Sequence, residues 1–228
     1  MDAMPRRTRI KICGLTRIED LDLAVAAGAD AVGFVFFPGS PRYVAPAVAA
    51  KLISALPPFV TSVGLFVNAT AIEVAAIVAQ APISLLQFHG DESLQECCEA
   101  AKAVNRPFVR AVRVRPGMTA ANLLEYDQTY RAASNLFSGL LLDAFVDGYG
   151  GGGKVFDWAL IPKELAPRVV LIGGLSEQNV IEAVVRVRPH AVDVSSGVEL
   201  SKGVKDVAKV RAFISAVHMA DTQTQPTP

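Results

Sequence analysis

The 228-residue chain has only three cysteines, Cys13, Cys97 and Cys98. The number is odd and the spacing irregular, so no disulfide framework is written into it. A reducing, cytoplasmic setting is the expectation. No apolar run reaches the ~18 residues that a membrane span requires. The opening MDAMPRRTRIKICG carries basic residues without a long apolar stretch behind them, so it does not read as a secretory signal. A surplus of charge is lacking too: Lys+Arg and Asp+Glu are 22 each. That balance excludes the basic excess of a nucleic-acid or membrane-surface protein. No second histidine or carboxylate stands at metal-ligand spacing from His89, and His190 and His218 read as incidental. Neither a metal nor an organic cofactor is therefore expected.

What is present is apolar and periodic. Hydrophobic residues make up 51% of the chain, enough for a large core. Short β-rich runs alternate eight times with Ala-rich amphipathic stretches. The strands are read at Arg9–Cys13, Ala31–Phe36, Ser62–Val67, Leu85–His89, Phe108–Val114, Leu140–Ala144, Val169–Ile172 and Ala191–Val194. Helices are read at Arg17–Ala27, Ala45–Ala55, Ala69–Gln80, Glu92–Val104, Ala120–Arg131, Ser176–Arg188 and Val204–Val217. The sixth connection, near Trp158–Leu165, is short and contains Pro162, which makes it the weakest helix. Strands rich in Val, Leu, Ile and Phe without clean alternation indicate a parallel sheet buried on both faces.

Eight such units in this length fit one (β/α)₈ TIM barrel over residues 1–220, with a polar, disordered tail at 221–228. An open doubly wound sheet is the alternative, but no glycine-rich fingerprint follows the first strand.

In a barrel, working groups sit at the carboxyl ends of the strands. Strand one ends Lys11-Ile12-Cys13-Gly14, and pleating puts Lys11 and Cys13 on one face. Cys13 is either a small buried apolar residue or a base whose thiolate the Lys11 ammonium favours. Strand six ends in Asp143, either a loop cap or a carboxyl group that desolvation keeps protonated. Arg42 stands in the turn Pro38–Tyr43, suited to a carboxylate or phosphate, or simply solvated. His89, on the face shared with Gln87, is a proton donor, an orienter or a core residue.

Two loops suit phosphate: Gly173-Gly174-Leu175-Ser176 after strand seven, and Ser195-Ser196-Gly197-Val198-Glu199 after strand eight. The glycine-rich run 147–154 lacks nucleotide-loop spacing and reads as a lid beside Asp143 or a plain connection. Cys97-Cys98 reads as helix packing. Arg110, Arg113 and Arg115 make a wet strand end, or one of them faces the site.

The segments KICGLT (11–16), GFVFFPGSPRYV (33–44), QFHGDE (87–92), LLLDA (140–144), GGGGKVFDW (150–158), IGGLSEQNV (172–180) and VDVSSGVE (192–199) occur in the order of one family. The sequence resembles the phosphoribosylanthranilate isomerases of tryptophan biosynthesis. The resemblance implies a cofactor-free Amadori rearrangement of a small phosphoribosyl substrate. It implies Cys13 as general base, Asp143 as general acid and Arg42 as the holder of the anthranilate carboxylate. Gly173, Gly174, Ser196 and Gly197 match its phosphate loops, Asp193 its substrate-binding segment, and His89 a supporting position. Gly152 departs from the family's usual hydroxyl residue in the GG-x-GK run.

Two alternatives stand beside this reading. A histidine-pathway isomerase would close its first strand with an aspartate, not Cys13. A non-catalytic barrel that binds a phosphometabolite would tolerate changes at Cys13 and Asp143. No interface signature is visible, so a monomer is expected.

Overall fold

The computed structural model describes residues 7–144 and 156–223. The glycine-rich run 147–154, with Gly152, lies outside them. Eight parallel strands close into a barrel in sequence order: β1 Arg9–Cys13, β2 Ala31–Val35, β3 Thr61–Phe66, β4 Leu85–Phe88, β5 Phe108–Val114, β6 Phe137–Ala144, β7 Val170–Leu171 and β8 Ala191–Val194. Closure through the β1–β8 pairing (Ile10 opposite Val192, Lys11 opposite Asp193) leaves no edge to template aggregation. Crossovers run through α1 Ile18–Ala27, α2 Pro46–Ser54, α3 Ala71–Gln80, α4 Leu94–Val104, α5 Ala120–Ala133 and α6 Val180–Val187. Helix α7, Val207–Gln223, completes the ring against α6 and α1.

Local chemistry starts and stops these elements. Thr70 with Glu73 and Ser93 with Glu96 form reciprocal capping boxes at the starts of α3 and α4. Gly28 ends α1 in the left-handed conformation that a non-glycine residue resists (φ 103°). Between barrel and helices, five aromatic rings form a ladder from the end of β2 across to β6. Phe36 stacks on Phe66 with centroids 5.5 Å apart, Phe66 meets Phe88 at 6.2 Å, Phe88 meets Phe108 at 5.7 Å and Phe108 meets Phe137 at 5.6 Å. These separations lie in the range of favourable aromatic pairing.

Three features depart from the sequence reading. Among the described residues, the sixth connection holds only 3-10 turns at Trp158–Leu160 and Ala166–Arg168, as Pro162 and Pro167 forbid a continuous ladder there. Val204 and Lys205, assigned to the start of the last helix, instead form β10 and pair with β9 Glu199–Ser201 in a two-stranded hairpin turned at Gly203 (φ 80°). The last helix also continues past Asp221, the expected start of the tail. Asp221 is buried and accepts hydrogen bonds from the Thr8 amide (2.9 Å) and hydroxyl (2.7 Å), fastening α7 to the segment before β1.

Asp221→Ala leaves two buried Thr8 donors without this partner. It should cost about 2 kcal/mol and lower Tm by about 4–8 °C in calorimetry. An unchanged Tm would show that the closure of the chain ends carries no weight.

Candidate active site

The strand pleat decides which side chains enter the barrel. Ile10 and Ile12 pack under the helices, so Lys11 and Cys13 point inward. Leu86 and Phe88 do the same on β4, sending Gln87 inward; Leu140 and Leu142 on β6 send Asp143 inward; Val192 and Val194 on β8 send Asp193 inward. Cys13 and Asp143 are thus the last inward residues of strands three steps apart around the barrel.

Beneath Cys13 lies an ion pair. Lys11 Nζ donates to Asp193 Oδ2 at 2.6 Å, with both side chains nearly or fully inaccessible. Space for it comes from β2: a Cβ on Gly33 would sit 2.7 Å from Cys13 Sγ and 3.1 Å from Lys11 Cε. Burial opposes the Lys11 charge, but the attraction of Asp193 wins and holds its pKa above the ordinary lysine value. Asp193 is fully buried and so stands one layer below the barrel mouth, not on its surface.

Lys11 does favour the Cys13 thiolate, as its position suggests, but burial outweighs it. Cys13 is 3% exposed. Burial pushes its thiol above the ordinary value, and the Asp193 carboxylate adds to the shift; Lys11 and Lys205 pull the other way and do not prevail. Lys11 acts on the thiol more strongly than Asp193 does, yet it also pairs with Asp193, and together with Lys205 it does not offset burial.

On the far side, Asp143 Oδ2 lies 3.2 Å from His89 Nε2, and His89 Nδ1 lies 3.0 Å from Gln87 Nε2, all three residues buried. As an amide nitrogen only donates, His89 Nδ1 accepts from Gln87, and Nε2 faces the carboxyl group. The Asp143 carboxyl needs the absence of a side chain opposite it. A Cβ on Gly173 would collide with Asp143 Oδ1, and Gly173 holds a φ of 94° that few other residues adopt. Gly197 in turn approaches the Leu175 carbonyl so closely that no Cβ fits between them. The two loops expected to bind phosphate therefore touch. Gly173, Gly174 and Gly197 are half-buried and Ser196 is exposed at their surface.

Arg42 completes the rim above Cys13. Its Nε and Nη2 donate to the two oxygens of Glu199 at 2.7 and 2.8 Å. Glu199 Oε1 also accepts from Lys205 Nζ at 3.1 Å, and Lys205 donates to the Ser195 carbonyl. A Cβ on Gly14 would lie 2.6 Å from Arg42 Cδ, so that glycine admits the arginine stem. Of the three arginines on or after β5, Arg110 points to the helices and ties down the loop after β4 through Glu92 and the Phe88 and Gly90 carbonyls. Arg113 is the inward one, in register with Asp143 and paired with Asp91.

Sequence reasoning did not find Glu199, Lys205, Gly14 or Gly33 as site components. Only the Lys202-Gly203 turn between two short extended runs hints at the hairpin that brings Lys205 back.

A family model described as N-(5′phosphoribosyl)anthranilate (PRA) isomerase matches residues 10–216. The chain is 67% identical over 225 residues to the N-(5′-phosphoribosyl)anthranilate isomerase of Herminiimonas arsenicoxydans, covering 99% of each chain. It is 59% identical over 216 residues to that of Dechloromonas aromatica, covering 94% of this chain and 98% of the relative. Among solved structures, it is similar to phosphoribosyl anthranilate isomerase from Thermotoga maritima, with a TM-score of 0.81, 40% identity and coverage of 93% and 99%. It is also similar to a phosphoribosyl anthranilate isomerase in complex with reduced 1-(o-carboxyphenylamino)-1-deoxyribulose 5-phosphate, with a TM-score of 0.77, 38% identity and the same coverage.

The buried thiol generates a test. Alkylation of Cys13 by iodoacetamide, followed by mass spectrometry, should be slow at pH 7.5. It should then rise about tenfold per pH unit through pH 9, because the thiolate fraction climbs that steeply below a raised pKa. A rate that levels off below pH 8 would contradict the effect of burial.

Proposed function

The chain belongs to the N-(5′-phosphoribosyl)anthranilate isomerase family and is an isomerase of tryptophan biosynthesis; from that premise we propose how its own residues divide the work. The reaction is the Amadori rearrangement of N-(5-phosphoribosyl)anthranilate to 1-(2-carboxyphenylamino)-1-deoxyribulose 5-phosphate. Asp143 is the general acid, Cys13 the general base and Arg42 the holder of the anthranilate carboxylate. The backbone N–H groups around Gly173, Gly174, Ser196 and Gly197 receive the phosphate, as a helix- or turn-start does for an anion. The observation that carries the reading is that Cys13 and Asp143 are both terminal inward residues of barrel strands, with Arg42 beside one and the paired glycine loops beside the other.

Asp143 gives its proton to the ribose ring oxygen, and the ring opens to an iminium ion. His89 holds the carboxyl group in place through the 3.2 Å contact, itself oriented by Gln87. Cys13 then takes the proton from the second sugar carbon, giving an enolamine. Tautomerisation to the ketone adds a proton at the first carbon and releases one from the second hydroxyl, which restores both protein groups.

The raised Cys13 pKa fits this order. The free enzyme keeps a thiol, which releases its proton to solvent before the proton on the second carbon is taken; the cationic iminium, arriving beside Lys11 and Lys205, supplies the positive charge that favours the resulting thiolate against burial. Asp193 acts from below, holding Lys11 where it can meet the thiol.

We also infer a monomer that works in a reducing compartment. The three cysteines are free, and among the described residues no helix is long and apolar enough to cross a membrane. Sedimentation equilibrium should return the mass of one chain.

Cys13→Ser and Asp143→Asn should each lower kcat by about 10²–10⁴ with unchanged circular dichroism, read from the fluorescence change of freshly generated phosphoribosylanthranilate. Near-native turnover in either variant removes that residue from the chemistry. Arg42→Ala should raise KM more than it lowers kcat; an unchanged KM contradicts its assignment to the carboxylate.

A further inference from the structure

A guanidinium offers two forks: a side-on pair from Nε and one terminal nitrogen, and an end-on pair from the two terminal nitrogens. In Arg42 the side-on fork is already filled, by both oxygens of Glu199. That contact leaves the end-on pair of N–H groups outside it. Glu199 is nearly buried, and its Oε1 also accepts from Lys205 Nζ, whose side chain is fully inaccessible. Lys205 is fixed in turn: its Nζ reaches the Ser195 carbonyl, and its backbone amide donates to Asp20. Lys209 holds the Glu199 carbonyl, and the Gly203 carbonyl at the hairpin turn accepts from the Thr16 hydroxyl. The β9–β10 hairpin is thus a strap anchored on the loop after β1, with Glu199 directly after the Ser196–Val198 turn.

We propose that Glu199 and Lys205 are positioning residues for Arg42: Glu199 locks the guanidinium plane so that its end-on fork meets the aromatic carboxylate of the substrate, and Lys205 keeps the trio net positive.

The charge count explains the lysine. Arg42 paired with Glu199 alone sums to zero and has little long-range pull on an anion. Adding Lys205 restores one positive charge at the rim, whereas Lys11 and Asp193 below cancel each other. Hydrogen bonding to Glu199 is the largest influence raising the Arg42 pKa. Although burial opposes the Glu199 charge, Arg42 and Lys205 hold it below the ordinary carboxylate range. Burial holds the Lys205 pKa below the ordinary lysine value, and Glu199 offsets part of that shift. A rigid plane reached from one side by a carboxylate is the arrangement in which a fork discriminates a second carboxylate from a neutral group. Specificity for the aromatic end of the substrate then depends on residues that need not touch it.

The inference rests on the assignment of Arg42 to the anthranilate carboxylate, and the experiment separates the two. Two stable ligands are made by reductive amination of ribose 5-phosphate, one with anthranilate and one with aniline; they differ only in the carboxylate. Their dissociation constants are measured by calorimetry on the full chain. Glu199→Gln and Lys205→Met should each weaken the carboxylated ligand about tenfold or more, and the phenylamino ligand by less than about twofold. In an Arg42→Ala background, Glu199→Gln should add no further loss. Glu199→Asp keeps the charge but withdraws the carboxylate by one methylene, and should show the same selective loss if the Gln variant does not fold.

Equal weakening of both ligands, or a retained preference in the Glu199 variants, overturns the positioning role. If the unmodified protein shows no preference for the carboxylated ligand, or Arg42→Ala keeps it, the Arg42 assignment falls and the positioning role with it.

Discussion

The ion pair between Lys11 and Asp193 sits where a barrel of this size would otherwise be filled with branched aliphatic side chains. It lies on the β1–β8 junction, the last pairing needed to close the sheet. Two charges out of water repay their desolvation only when geometry is tight, and removing one partner of such a pair typically costs about 3–5 kcal/mol. The contact is short and the surroundings shape-matched, since β2 gives up its side chain at Gly33 to admit the lysine stem. The charge layer also lies directly under Cys13. An aliphatic layer in its place would remove the Lys11 charge from beneath the thiol and leave burial opposed more weakly.

Two opposed demands meet at that thiol. A base needs a proton-free sulfur, and a labile sugar intermediate needs exclusion from water. Burial serves the second and works against the first. The resolution lies in timing. Under the proposed roles, a resting thiol is inert toward adventitious electrophiles, its proton leaves to solvent as the iminium ion of the substrate brings positive charge, and the acid on β6 acts before the base on β1.

The barrel was legible in the sequence because short β-rich apolar runs alternate eight times with Ala-rich amphipathic stretches; both signals are local. The inward residues Cys13, Asp143 and His89 were legible for the same reason, as pleating is a two-residue period. The Arg42–Glu199 pair was not, because its partners are separated by 157 positions, Arg42 lies in a loop and Glu199 opens a strand of only three residues. Lys205 read as part of an amphipathic helix, since Val204 and Val207 have helical spacing; only the turn at Gly203 distinguishes a hairpin from a helix start. The charge environment of Cys13 was legible only in part: Lys11 two residues away was visible, but its pairing with Asp193 on β8 and the burial of the thiol were not. Pairings across the closed sheet decide electrostatics that strand order alone does not reveal.

The glycines of the mouth follow one rule. Gly33 admits Cys13 and Lys11, Gly14 admits the Arg42 stem, Gly173 admits the Asp143 carboxyl group, and Gly197 admits the Leu175 carbonyl. In each case the missing side chain lies beside a group from another strand or loop. The site is therefore specified by pairs, a functional group on one element and a vacancy on another. A barrel with the same Cys13, Arg42 and Asp143 but ordinary residues at these glycines would fold its rim differently and lose the alignment of acid and base. The glycine motifs and the functional motifs of the sequence are thus two halves of one geometric specification.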